Sequence, residues 1–246
     1  MPDILDAEIE RGGGVALWRQ IEEKLRDEID AGALKPGERL PTEQMLARRF
    51  GVNRHTVRRA LGALVGEGLV RVEQGRGAFL QEEIIEYALG LRTRFSENIR
   101  RQERAPGGRL IDAVELPAEG AAARALALPV GTPLIALDTL READGLPISF
   151  ARHFVPLARF PRIAEAYREL GSLTRAFARC GVADYTRKWT RLLARLPSVP
   201  EARHLRQPMT TPVLQSEAVN IDAEGRPIEY GVAAFAGGRV QILVEE

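Results

Sequence analysis

The 246-residue sequence has one cysteine, Cys180, so it can form neither an internal disulfide framework nor a cysteine-based zinc site. Lysine is almost missing: Lys24, Lys35 and Lys188 stand against 32 arginines. Neither charge is in surplus, with 35 bases against 34 acids. That excludes an overall polycation, and any nucleic-acid role must rest on a local patch. No apolar run approaches the ~20 residues that a membrane-spanning helix needs. The first ten residues carry four acids and no base, the wrong sign for a signal peptide. A cytoplasmic protein with no membrane partner is the expectation. Catalytic machinery is missing as well. Gly12-Gly13-Gly14 is not followed by Gly-Lys-Ser/Thr and is no phosphate loop. Nothing forms a nucleophile elbow or a histidine-centred triad. His55, His153 and His204 fall on three separate predicted elements without metal-ligand spacing. These gaps predict no enzyme, no cofactor and no metal, and Cys180, Trp18 and Trp189 read as packing residues.

The length suits one large or two modest domains, and the charge is unevenly spread. Between residues 35 and 77 nine bases face four acids. Just before that window Leu17, Ile21, Leu25 and Ile29 recur every four residues, one stripe of an amphipathic helix over 17–29. Gly32 and the turn Pro36-Gly37 end it. Thr42 caps a short second helix with Met45 and Leu46 facing inward, closed by Phe50-Gly51. Asn53 caps a third helix whose buried stripe is Val57, Leu61 and Leu64. Residues 69–72 and 78–80 are strands around the turn 73–77. Three helices followed by a hairpin predict a winged helix-turn-helix over residues 12–81. Its third helix offers Arg54, His55, Thr56, Arg58 and Arg59 to a DNA major groove. Arginine forks onto guanine O6 and N7, and a threonine meets phosphate or a thymine methyl. Arg76, flanked by glycines at the wing tip, reaches phosphate or the minor groove. Arginines on a short helix can also be a mere solvated face, but helix order, turn and wing agree on DNA.

The runs Leu34-Lys35-Pro36-Gly37-Glu38-Arg39-Leu40-Pro41-Thr42-Glu43, Gly51-Val52-Asn53-Arg54-His55-Thr56-Val57-Arg58-Arg59-Ala60-Leu61, Gly66-Glu67-Gly68-Leu69-Val70 and Gln74-Gly75-Arg76-Gly77 together resemble the GntR family of bacterial transcription regulators. The resemblance covers about 65 residues with the internal spacings in order. It implies DNA contacts at Gln44 in the second helix, at Arg54, Thr56 and Arg58 in the third, and at Gln74, Gly75 and Arg76 in the wing. Asn53 stands where many members have serine, which keeps the capping chemistry.

Beyond a connector (residues 82–94, with 81–91 open to a helical reading) the pattern alternates. Residues 109–116 read as a strand and 118–128 as an alanine-rich helix. The β-rich runs 134–141 and 148–155 bracket Ala143-Asp144-Gly145, a hairpin turn. Helices follow at 159–170 and 173–180, divided by Gly171-Ser172. A strand at 185–196, a short helix at 199–205, strands at 213–221 and 227–235, and an apolar run at 240–244 complete the chain. Paired hairpins with intervening helices predict an α+β domain on an antiparallel sheet over residues 95–246.

Phe95-Ser96-Glu97-Asn98, Leu126-Ala127-Leu128-Pro129-Val130-Gly131-Thr132-Pro133, Leu140-Arg141-Glu142-Ala143-Asp144-Gly145-Leu146-Pro147, Gly171-Ser172-Leu173 and Gly225-Arg226-Pro227-Ile228-Glu229-Tyr230 resemble the UTRA effector domain of the HutC subfamily, whose fold is similar to chorismate lyase. Arg92-Thr93-Arg94-Phe95-Ser96-Glu97-Asn98 and Asp184-Tyr185-Thr186-Arg187 look most like the phosphonate-metabolism regulators within it. The residues themselves fit an anion sensor. Thr93, Arg94, Phe95 and Ser96 lead into a helix start that can bind an anion. Arg141, at the end of one hairpin strand, and Ser149, on its partner, can share a face, and Arg141 can fork onto phosphate. Sugar-phosphate-sensing relatives have Arg-x-Arg at this strand, whereas here the first position is Thr139. The resemblance adds Arg187 to the effector set, and Glu229 as an acceptor for hydroxyl or amine. Phe235 stands where some relatives carry tyrosine. The reading is therefore a homodimeric regulator, a repressor by preference, of a phosphonate or phosphate-ester operon. It would bind near-palindromic double-stranded DNA and answer to a small anionic effector. The alternatives are a HutC-type repressor sensing an amino-sugar phosphate, urocanate or similar metabolite, and more remotely a chorismate-lyase-like enzyme.

Overall fold

Four-residue apolar spacing produces α1 (Leu17–Asp30), which buries Ile21 and Leu25. The structure is a computed structural model and describes residue 9 and residues 14–34, 36–73, 75–81 and 84–244. It divides into two compact units between residues 83 and 84.

In the first unit, α2 (Glu43–Arg49) and α3 (Arg54–Gly66) start where short polar side chains satisfy otherwise orphaned backbone donors. The Thr42 hydroxyl accepts from the Met45 N–H, and the Asn53 carbonyl oxygen accepts from the Thr56 N–H at 2.9 Å. Met45 departs from expectation: it is exposed, and Leu46 alone is buried. Neighbouring residues on a helix point about 100° apart, so a seven-residue helix buries only one of them here. The wing is β1 (Val70–Glu73) paired antiparallel with β2 (Gly77–Leu80), Val70 opposite Leu80. Both of these residues join Ile21, Leu25, Leu46, Phe50, Val57, Leu61 and Leu64 in one core, with Trp18 packed at its margin.

The second unit opens with a correction. Residues 85–89, within the stretch open to a helical reading, form strand β3 (Ile85–Leu89), which pairs in parallel with the last strand, β10 (Val240–Val244). Ile85, Tyr87 and Leu89 are buried while Glu86 is exposed, a period of two that charged neighbours obscured. Between these two strands the chain runs through α4 (Phe95–Arg101), β4 (Pro106–Pro117), α5 (Gly120–Leu126), β5 (Pro133–Ala143), β6 (Leu146–Pro156), α6 (Ile163–Leu170), α7 (Leu173–Arg179), β7 (Thr186–Arg195), α8 (Val199–His204), β8 (Val213–Ile221) and β9 (Pro227–Ala236). Helix α6 begins four residues later than expected, past the turn that holds Pro161.

Six strands make one antiparallel sheet in the order β4-β5-β6-β9-β8-β7. The late hairpin strand β9 inserts beside β6, so residues far apart in sequence share rungs. One face of the sheet packs on α6 and α7 through Leu137, Val155, Phe160, Tyr167 and Phe177, with Cys180 at the edge of that core. The same face meets α4, β3 and β10 through Tyr87, Phe95, Ile99 and Phe235. The opposite face carries α5, packed on Leu134, Val219 and Tyr230 with Trp189 alongside, and α8, packed on Val213 and Ala234. Among the described residues no helix is long and apolar enough to cross a membrane, and no cluster of three histidine, cysteine or acidic residues is placed to hold a metal.

Candidate functional site

In the first unit the start of α3 gathers a cationic surface. Arg54, His55, Arg58 and Arg59 are exposed, as is Gln44 on α2. Thr56 is half-buried, and its hydroxyl donates to the Asn53 cap at 3.0 Å while keeping its acceptor lone pairs. Arg58 is held by Glu43 of α2, which accepts from its Nε at 3.0 Å and its Nη2 at 2.8 Å. The guanidinium of Arg59 lies over the Trp18 ring, 4.6 Å from its centre, giving that packing residue a second contact. At the wing, Gly75 takes a left-handed φ of 76°, and exposed Arg76 pairs with Glu73 and lies over Phe79. Gln74 lies outside the described residues. Arg39, which sequence reasoning passed over, is exposed and bridges to Phe79 beside the wing. A Cβ on Gly77 would meet its Nε at 2.9 Å.

The second unit holds a cavity of about 500 Å³ on the sheet face between α4 and the α6–α7 pair. Strand register builds its floor in rungs. Arg141 stands directly opposite Ser149, and Ser149 opposite Phe235. The next rung is Thr139, Ala151, Ala233 and Ser216, and the next sets His153 beside Gly231 and Ala218. The last joins Glu229 to Asn220 and Asn220 to Arg187. Alanine, serine and glycine in the middle rungs leave room for the cavity. Register shifts follow Arg141 in β5 and Arg187 in β7, and such bulges re-aim adjacent side chains.

Polar groups converge at both ends. Arg141 is partly buried with its guanidinium 5.0 Å from the Phe95 ring centre and within hydrogen-bonding reach of the Tyr87 hydroxyl, and it forms no ion pair among the described residues. Burial works against its charge, but Tyr167, Tyr87 and Tyr185, with Glu229, outweigh this and leave its pKa raised. At the far end Glu229 is buried; burial would push its carboxyl up. The hydrogen bond from His153 and the charges of Arg187 and Arg141 nevertheless hold it below the usual carboxylate range. His153 Nδ1 donates to Glu229 at 2.5 Å, and its Nε2 is 3.0 Å from the Thr139 hydroxyl. Asn220 donates to the other Glu229 oxygen, and Arg187 Nε donates to Asn220 at 3.0 Å.

The segment before α4 is more occupied than the sequence implied. The Thr93 hydroxyl closes on the backbone of Gly90. Nη2 of Arg94 is shared between Asp184 at 2.8 Å and the Tyr185 carbonyl at 2.6 Å, and the guanidinium lies 3.7 Å from the centre of the Tyr185 ring. Thr93 and Arg94 therefore form wall, while Ser96 lines the cavity with no such commitment among the described residues. All eight sequence-nominated effector residues line this one cavity. His153, Asn220 and Gly231 were missed, although period-two spacing on the strands (149, 151, 153; 229, 231, 233; 216, 218, 220) carries the signal.

Gly231 exists for the Glu229–His153 pair: a Cβ there would fall 2.7 Å from Glu229 Oε1 and 3.4 Å from His153 Nδ1. Gly231→Ala should dislodge the carboxylate and cost about 1–3 kcal/mol of stability by overpacking, read by chemical denaturation. Unchanged stability would show that the pair yields freely.

Comparison with known proteins supplies independent findings. Residues 17–80 match the family model described as bacterial regulatory proteins, gntR family, and residues 101–241 match the UTRA domain. An HTH-type transcriptional regulator of Rhizobium meliloti (strain 1021), itself uncharacterised, is 45% identical over 238 residues, covering 96% of this chain and 98% of that one. The probable transcriptional regulator PhnF of Escherichia coli (strain K12) is 34% identical over 232 residues, covering 93% and 94%. The crystal structure of PhnF from Mycobacterium smegmatis superposes with a TM-score of 0.64 at 26% identity, covering 92% of this chain and 98% of that one.

Proposed function

The chain belongs to the gntR family of bacterial regulatory proteins and carries a UTRA domain, and from that premise we propose that it is a homodimeric repressor whose second unit senses a phosphonate or phosphate ester. The family is one of transcription regulators that bind DNA and a small effector, not one of enzymes. The observation that carries the finer reading is Arg141. A cation with no acid partner among the described residues, opposite the Ser149 hydroxyl on a cavity floor, is a fork awaiting a multiply charged anion. Arg187 adds positive charge at the other end, while Glu229, already engaged by His153 and Asn220, offers its remaining lone pairs to a hydroxyl or amine.

In this reading Gln44, Arg54, His55, Thr56, Arg58, Arg59, Gly75 and Arg76 meet operator DNA. One winged unit covers little DNA, so two half-sites read by a symmetric dimer supply useful affinity. The effector acts by binding one arrangement of the dimer better than the other. A thermal-shift screen of phosphonates, phosphate esters, amino-sugar phosphates and urocanate tests this, because a ligand at 100 times its Kd adds about 2.7 kcal/mol by mass action. The expected result is a rise in Tm with phosphonates or phosphate esters and release of bound DNA by the same compounds. A response to urocanate alone would overturn the phosphonate or phosphate-ester reading.

A further inference from the structure

Glu43 opens α2 and reaches across to α3, where its two oxygens take Nε and Nη2 of Arg58 at 3.0 and 2.8 Å. A guanidinium presents two separate two-donor edges in a fixed plane. Glu43 occupies the Nε edge, so the terminal Nη1–Nη2 edge stays available. The Arg58 side chain is 65% exposed and that of Glu43 35%. Arg54 and His55 flank the pair closely enough to act on Glu43 electrostatically, and with Arg58 they keep the local charge positive despite the acid.

We infer that Glu43 is a positioning residue that locks Arg58 so that its terminal edge reads the O6 and N7 of a guanine in each half-site. The inference rests on the DNA-binding reading above. Guanine presents two acceptors side by side in the major groove, and one guanidinium edge matches them. An unbuttressed arginine must give up rotamer freedom to make that match, whereas one already clamped has lost it before DNA arrives. Clamping also fixes which edge faces the base. An acid at a DNA surface should repel phosphate, so its presence at this position calls for such a return. Arg54 and Arg59 have no equivalent carboxylate clamp among the described residues.

The test uses the full-length protein and duplexes selected by it from a random-sequence library. Wild type should select a required guanine in each half-site, and 7-deazaguanine there, which lacks N7, should weaken binding about tenfold. Arg58→Ala and Arg58→Lys should both lose the preference, the second despite keeping its charge. Glu43→Gln should melt like wild type and bind random DNA as well or better, yet lose most of the 7-deazaguanine penalty. Full retention of guanine preference and penalty in Glu43→Gln would overturn the inference, leaving Glu43 a mere phosphate-repelling acid. Guanine preference surviving Arg58→Ala would overturn it too. Failure of wild type to select any sequence would instead overturn the DNA-binding reading and the inference with it.

Discussion

Arg54→Ala and Arg58→Ala should each weaken binding to the specific DNA site by ~1–3 kcal/mol, up to about a hundredfold, while leaving the fold intact. Both residues are exposed at the start of α3, and neither contributes to the core of the first unit. The helix start is held independently by the Asn53 cap, so these substitutions remove contacts and not structure. If the two arginines read bases, each variant relaxes preference at one position of the half-site. Arg76→Ala, at the wing, should behave differently. A phosphate contact carries no sequence information, so its loss lowers affinity for all sequences and reduces the salt slope by about one. Fluorescence anisotropy on specific and random duplexes across a salt series separates the two patterns. Unchanged specific affinity in both Arg54→Ala and Arg58→Ala would remove α3 from the reading surface.

The second large effect concerns the cavity. Arg141→Ala should leave DNA binding unchanged and abolish the response to effector, weakening effector binding by ~2–5 kcal/mol as expected when one partner of a desolvated charge pair is cut away. The unliganded variant should melt slightly below wild type. Burial works against the Arg141 cation, but the surrounding tyrosines and Glu229 outweigh that penalty, so its removal loses net stabilisation together with the contact with Phe95. Arg141→Lys keeps the charge and loses the fork, and should recover only part of the affinity. Calorimetric titration with the phosphonate or phosphate ester that raises Tm gives the answer. A variant that still releases DNA normally on adding that compound would place the effector elsewhere.

Much of this was legible along the chain because it depends on local rules. The Asn53 and Thr42 caps, the α3 stripe and the wing turn are decided within a few residues of themselves, and the proposed DNA surface rests on them. That Arg141 and Ser149 lie on neighbouring strands was accessible from the hairpin turn at Asp144-Gly145, but the turn alone would set Arg141 opposite Ile148, and only the bulge after Arg141 brings Ser149 opposite it. Strand β3 was hidden because five residues cannot display a secure period, and its partner lies at the other end of the chain. His153 was hidden for a related reason. Its ring is meaningful only beside Glu229 and Thr139, and the first of these comes from β9, 76 positions later.

The scarcity of cysteine excluded a disulfide framework, and the order of helices, caps and turns by itself determined a winged helix-turn-helix followed by an α+β domain on an antiparallel sheet. Local capping and turn chemistry sufficed for that architecture, while the sensing role was implied by the motifs that resemble the UTRA domain. The insertion of β9 between β6 and β8 was a tertiary decision. It brought the His153–Glu229–Asn220 chain together, made room for it with Gly231, and left Arg141 charged with no acid partner among the described residues. Non-local strand pairing depends on which faces bury together, a property of the whole sheet that no single stretch of sequence carries.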